Sequence, residues 1–145
     1  MDISPAVSDV LDEVISIENA VHIHPWSRQQ IKSSLIDYLS WVIRKEDRMA
    51  GYLFVMPIVD DWELLNIAID GDFQRQGLAR IALKFLKERA FAAGVQRILL
   101  EVRESNAQAI KLYQSSGFVQ DGRRKNYYPA ENHREDAILM SCRLK

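Results

Sequence analysis

Between Trp62 and Val102 the chain changes its periodicity twice, and no other feature restricts its possible folds so much. Trp62–Ile69 is an apolar run with strand character. From Gln76 onward Leu78, Ile81, Ala82, Phe85 and Leu86 recur at helical spacing, with Lys84, Lys87 and Glu88 between them and Gly94 able to close the helix. Arg97–Val102 returns to a strand pattern. A strand, a helix and a strand in succession make an α/β domain.

The flanking segments supply the rest of the sheet. Met1–Ile3 reads as a short strand, and Val7 to about Ala20 as a helix with Val10, Leu11, Val14, Ile15 and Ile17 inward. Ser27 and Gln30 form a capping-box pair for a second helix that fades near Tyr38. Trp41–Arg44 and Met49–Ile58 join Trp62–Ile69 in an antiparallel meander, through the charged turns Glu46-Asp47 and Asp60-Asp61. Asn106–Ser116 is a helix ended by Gly117, followed by strands at Phe118–Tyr127 and Ala137–Arg143. The sheet is therefore mixed. No repeat, low-complexity tract or linker interrupts the chain, so residues 1–145 are expected to form one domain.

Composition excludes several functions. Nineteen basic and 20 acidic residues leave a formal net charge of -1, too little positive charge to hold a polyphosphate backbone, so nucleic acid is not the expected ligand. No run approaches the ~20 apolar residues of a membrane span. Cys142 is the single cysteine, which rules out an internal disulfide framework and fits a reducing compartment; the cytoplasm is expected.

The junction Asn66–Arg80 carries the first functional signal. It joins a strand to the clearest helix through a turn that contains Gly77. A helix start has outward-pointing N–H groups and the positive end of the dipole, so it can hold phosphate. Gly77 lets an anion approach the main chain, although an isolated glycine there is more often explained by crowding. Gln74-x-x-Gly77-x-Ala79 resembles the acetyl-CoA pyrophosphate loop of the GNAT superfamily of N-acetyltransferases.

Three further segments carry the resemblance: Asn66-Ile67-Ala68-Ile69; Leu100-Glu101-Val102-Arg103 with Ser105-Asn106; and Asn126-Tyr127-Tyr128-Pro129 followed by Arg134-Glu135-Asp136-Ala137. Two departures stand out, Ala79 for the commoner second glycine and Gly71 where relatives often have proline. The resemblance implies an α/β fold with a mixed, mostly antiparallel twisted sheet and helices on both faces. It also implies that the Ile67, Ala68 and Ile69 backbone binds the pantetheine arm and acetyl group, and that Arg75, Gln76, Gly77, Leu78, Ala79 and Arg80 cradle the pyrophosphate. The donor is then acetyl-CoA. Within the superfamily the chain is similar to the branch that acetylates the N-terminal alanine of a small-subunit ribosomal protein. A lysine or small-molecule amine is the alternative acceptor, and a non-catalytic acetyl-CoA-binding module the third reading. A monomer or weak dimer is expected.

Acetyl transfer from a thioester needs a neutral amine and a proton for the departing thiolate. Glu101 stands in the apolar strand Ile98–Val102, where a carboxylate is costly unless paired or used; on pattern alone it could also face outward from an edge strand. By resemblance Glu101 is the general base, Tyr113 the general acid and Asn106 a contact to CoA. Asn106 and Tyr113, seven residues apart, would share a helix face.

Other polar clusters have simpler explanations. His22-x-His24 has no third ligand at a suitable spacing, so no metal is assigned. The acidic pairs Asp60-Asp61 and Glu135-Asp136 could offer charge to a basic acceptor, and Arg123-Arg124-Lys125 could guard a sheet edge.

Overall fold

A computed structural model describes Met1–Leu144. The elements run β1 (Asp2–Pro5), a 3-10 turn (Ser8–Val10), α1 (Leu11–Val21), α2 (Arg28–Asp37), β2 (Leu39–Lys45), β3 (Arg48–Ile58), β4 (Asp61–Ile69), a 3-10 turn (Gly71–Phe73), α3 (Leu78–Ala92), β5 (Arg97–Arg103), α4 (Ala107–Ser115), β6 (Val119–Ala130) and β7 (His133–Arg143). They fall into two compact units, Met1–Pro57 with Leu64–Leu83, and Ile58–Glu63 with Lys84–Lys145.

In the first unit the strand order is β1-β2-β3-β4. The antiparallel register sets Ile3 opposite Ile43 and Trp41 opposite Leu53, with a shift between Ile43 and Arg44. Val10, Val14, Ile17 and Ile31 bury against Val42, Met49, Tyr52, Phe54 and Ala68. Each such side chain contributes roughly 1.5–3 kcal/mol when fully buried, so this layer holds the two helices on the strands. The capping box at α2 forms as expected: Gln30 N–H donates to Ser27 Oγ at 3.1 Å and Ser27 N–H to Gln30 Oε1 at 2.8 Å. The expected first helix is divided in two. Val10, at φ -90° and ψ 3°, separates a 3-10 turn from α1.

The second unit has the strand order β5-β7-β6, with the start of β4 beside β5. Gln96 N–H donates to Asp60 O at 2.9 Å and Arg97 Nε to Asp61 Oδ2 at 3.1 Å, so the start of β4 is tied to the start of β5. The remaining pairs are antiparallel, with Glu101 opposite Leu139 and Gln120 opposite Met140. Leu86, Ala90, Ile98, Leu100, Phe118, Ala137, Ile138 and Met140 are buried here.

The β6–β7 hairpin runs further than the sequence pattern predicts, closing only at Glu131-Asn132, where Asn132 has φ 63°. Pro129 lies beyond the expected strand Phe118–Tyr127 but within β6, an edge strand, where the missing N–H is tolerated. No helix among the described residues is long and apolar enough to cross a membrane.

Candidate functional site

Ile67, Ala68 and Ile69 close β4, with Ala68 and Ile69 buried. The chain leaves the strand under tight control: Asp70 N–H donates to Ala50 O at 2.7 Å, Asp72 N–H to Asp70 Oδ1 at 2.8 Å, and Gln74 Nε2 to Ile69 O at 3.0 Å. Arg48 adds an ion pair to Asp72 at 2.9 Å and stacks over Phe73. Gln74 thus ties the turn back to the strand, a role the motif alone did not disclose.

Arg75 and Gly77 both take left-handed backbone conformations, at φ 64° and 78°. Gly77 therefore breaks the helical path, and α3 starts at Leu78 rather than at Gln76 as the periodicity predicts. Ile81 N–H makes an early helical bond, to Gly77 O at 3.0 Å. A Cβ on Gly77 would meet nothing within 4 Å, so crowding does not explain this glycine. Its face is open and its conformation is the reason for it. Leu78 is buried and anchors the helix, Ala79 is half-buried, and Arg75, Gln76 and Arg80 are exposed. Gln76 Oε1 accepts from Lys45 Nζ at 2.6 Å.

Beside this segment lies a buried polar network that sequence analysis did not identify. Glu18, only 1% exposed, accepts from Tyr52 Oη at 2.5 Å, Asn66 Nδ2 at 2.9 Å and Trp26 N–H at 2.8 Å. His22 Nε2 stands 3.1 Å from Asn66 Oδ1. Burial first, and the Glu18 carboxylate second, push the Tyr52 phenol well above its ordinary value. A signal was present: Glu18 follows Val14 by four residues, on the apolar stripe of α1.

In the second unit Glu101 lies on β5, which alternates buried and half-buried residues. β5 is paired with β7 and is no edge strand. Its side chain is 21% exposed, and Arg124 Nε of β6 stands 3.4 Å from Oε1. Glu63, on the start of β4, is raised by burial first and then by the charge of Glu101, with Arg124 opposing. The sequence offered Glu63, with Trp62, only as a border of an acceptor groove and Arg124 only as an edge guard; neither was linked to Glu101.

The β6–β7 register slips between Arg124 and Tyr128, where Asn126 takes φ 53°. Arg134 pins the bulge by donating to Asn126 O at 2.9 Å and Tyr127 O at 2.7 Å, and Asp136 Oδ1 accepts from Asn126 N–H at 2.9 Å. The two motif segments Asn126–Pro129 and Arg134–Ala137 are thus cross-strand partners. Arg124 lies over the Tyr127 ring and Arg103 over the Tyr128 ring, at 5.2 and 4.5 Å.

Tyr113 is buried on α4 against Phe118. Burial, then Tyr128, push its phenol up to about 12. Tyr128 is likewise pushed up to about 12, by burial first and Glu101 next. Tyr128 therefore lies within electrostatic reach of both Glu101 and Tyr113. Asn106 corrects the shared-face expectation: it caps α4, its Oδ1 accepting from Ala109 N–H at 3.2 Å, and does not lie in the helix itself.

The acidic pairs are less available than their sequence suggests. Asp61 pairs with Arg97, Glu135 with Arg103, and Asp136 with Arg123, at 3.1, 2.9 and 2.8 Å. Arg103 holds the Glu135 carboxyl below the usual carboxylate range. No group of three His, Cys, Asp or Glu suited to a metal occurs among the described residues.

The fold and the strand–turn–helix junction define an acetyltransferase: the model of the acetyltransferase (GNAT) family matches residues 11–118, and the chain belongs to that family. The ribosomal protein bS18-alanine N-acetyltransferase of Escherichia coli strain K12 is 42% identical over 126 residues, covering 86% of this chain and 85% of the relative. The Haemophilus ducreyi enzyme of the same name is 35% identical over 144 residues, covering 98% and 99%. The crystal structure of the Escherichia coli ribosomal-protein-S18-alanine N-acetyltransferase superposes with a TM-score of 0.93 at 39% identity, covering 99% of this chain and 94% of that one.

Proposed function

We propose that this acetyltransferase transfers the acetyl group of acetyl-CoA to the N-terminal alanine of a small-subunit ribosomal protein, a reaction of the cytoplasm. The observation that carries the reading is the 42% identity to the bS18-alanine enzyme over most of both chains. The bulge that displays Tyr127 and Tyr128 supports it, because it is built from Asn126–Pro129, the segment whose resemblance favours this branch over enzymes of small amines.

The residues of the first unit fit the donor. Gly77 has an open face at a helix start, where main-chain N–H groups and the dipole favour a pyrophosphate. Ile67, Ala68 and Ile69 offer strand backbone to the pantetheine arm, with Arg75, Gln76, Leu78, Ala79 and Arg80 completing the loop; Asn106, of the second unit, is by resemblance a contact to CoA. In the second unit Glu101 takes the proton of the attacking amine, and the new C–N bond forms as the C–S bond breaks. Tyr113 gives its proton to the leaving thiolate.

The acceptor preference has a physical basis. An α-amino group of pKa ~7.7–8.0 is about a tenth neutral at pH 7, against less than roughly a thousandth for a lysine of pKa ~10.4. A carboxylate base handles the first more readily. The test is kcat/KM for three acceptors: a peptide with a free N-terminal alanine, the same peptide N-terminally blocked with an internal lysine, and a polyamine. The alanine peptide is expected to win clearly; preference for either of the others overturns the reading.

A further inference from the structure

Glu18 sits on the inward stripe of α1, where a leucine would pack with Val14 and Ile17. A carboxylate in such a place loses its hydration, and only the bonds it accepts offset that cost. Those bonds reach three different parts of the chain. Tyr52 belongs to β3, Asn66 to β4, and Trp26 N–H to the loop between α1 and α2. Because Asn66 Nδ2 donates to Glu18, Asn66 Oδ1 is the acceptor for His22 Nε2, which therefore carries the proton. His22 is 32% exposed, so the network runs from the core to the surface of the loop.

Asn66 is the residue immediately before Ile67–Ile69. Its side chain is clamped on both polar atoms, by Glu18 on one and His22 on the other. On the far side Gly51 of β3 approaches the same segment so closely that an added Cβ would lie 2.3 Å from Ala68 O. The donor-binding backbone is thus held from two directions.

The geometry points to Glu18 as a positioning residue: through Asn66 it sets the Ile67–Ile69 backbone for the acetyl donor, and through Trp26 and His22 it seats the α1–α2 loop beside that backbone. The inference rests on the donor role of Ile67–Ile69 given above. A filler of the core would need no carboxylate, and this one is bonded to the residue that immediately precedes Ile67–Ile69 on β4.

The test uses the full chain and acetyl-CoA alone, with no acceptor, so failure of the alanine peptide does not affect it. Glu18→Gln keeps the shape but sets an NH2 donor either at Oε1, where the Tyr52 and Asn66 bonds are both lost, or at Oε2, where the Trp26 bond is lost. Calorimetry is expected to show acetyl-CoA affinity lower by about tenfold, and amide exchange to accelerate at Ile67–Ile69. Asn66→Ala, which leaves Glu18 in place, should reproduce both effects and serves if Glu18→Gln does not fold. His22→Gln, which retains an N–H donor, should stay near the starting affinity, whereas His22→Ala should not. A lowered melting temperature with unchanged affinity and exchange would make Glu18 a structural residue only and overturn the inference. If the unaltered protein binds no acetyl-CoA, the functional reading fails, and the exchange at Ile67–Ile69 alone then decides whether Glu18 positions that strand.

Discussion

Arg124 Nε lies 3.4 Å from Glu101 Oε1, so the carboxylate proposed as base is met by a guanidinium from the β6–β7 hairpin. The pairing gives the carboxylate a fixed orientation at a half-exposed position, where an isolated ion pair contributes little to stability.

If Glu101 removes the amine's proton, Glu101→Gln lowers kcat by roughly 10²-fold or more while acetyl-CoA affinity is retained. Arg124→Ala only loosens the base, and a loss of about tenfold or less is expected. Steady-state kinetics on the alanine peptide, with calorimetric titration of acetyl-CoA, separates the two. Full kcat in Glu101→Gln at every pH removes Glu101 from the mechanism.

Tyr113 and Tyr128 are each pushed up to about 12. Their neutral forms are favoured in the fold, so the stability they contribute is present below the ordinary value of 10.0 and is lost as pH rises from there through about 12. Spectrophotometric titration of the phenols should show them ionising late, and Tyr113→Phe should remove one late group. Tyr113→Phe should also lower kcat by roughly 10²-fold if this phenol protonates the thiolate. A normal titration near 10 in the folded protein contradicts the burial argument.

At Gly77 the two consequences of a side chain can be separated. Gly77→Ala meets no atom but must hold φ 78°, a strain of about 1–2 kcal/mol that chemical denaturation can measure. Gly77→Asp adds a negative charge where pyrophosphate is proposed to lie, and acetyl-CoA affinity should fall well beyond the alanine variant. Equal affinities for the two variants would dissolve the phosphate-loop assignment.

Gly51 presents the opposite case, since its conformation is ordinary and its space is not. Gly51→Ala forces a methyl group against Ala68 O, and backbone cannot step aside as a flexible side chain can. Destabilisation of about 3 kcal/mol is expected, read from the denaturation midpoint. A loss under about 0.5 kcal/mol would mean that β3 and β4 separate easily there.

The sequence showed the elements wherever one local rule decided them. Ser27 and Gln30 cap α2 as read, and the change of period after Ile69 located α3 to within two residues, the error arising at Gly77, whose left-handed turn periodicity cannot register. Glu101 stood out because a carboxylate interrupts an apolar strand. Its partners did not, because Arg124 comes from 23 residues further on and Glu63 from 38 residues earlier, and cross-strand register is not written in either local pattern. Asp61, Glu135 and Asp136 read as available charge for the same reason: their cations arrive through tertiary pairing. Glu18 passed for an ordinary helix residue until Tyr52 and Asn66 were seen to converge on it.

The β6–β7 hairpin closes through the two residues Glu131 and Asn132, whereas β5 reaches β7 only across α4 and the whole of β6. Closing a short loop is fast, on the order of microseconds for a hairpin, and entropically cheap beside the longer closure. The second unit should therefore assemble outward from its hairpin, with capture of β5 by β7 as the slow event. Variants at the turn would then alter the refolding rate, while variants in the late-docking strand would be felt chiefly in how quickly the native protein unfolds.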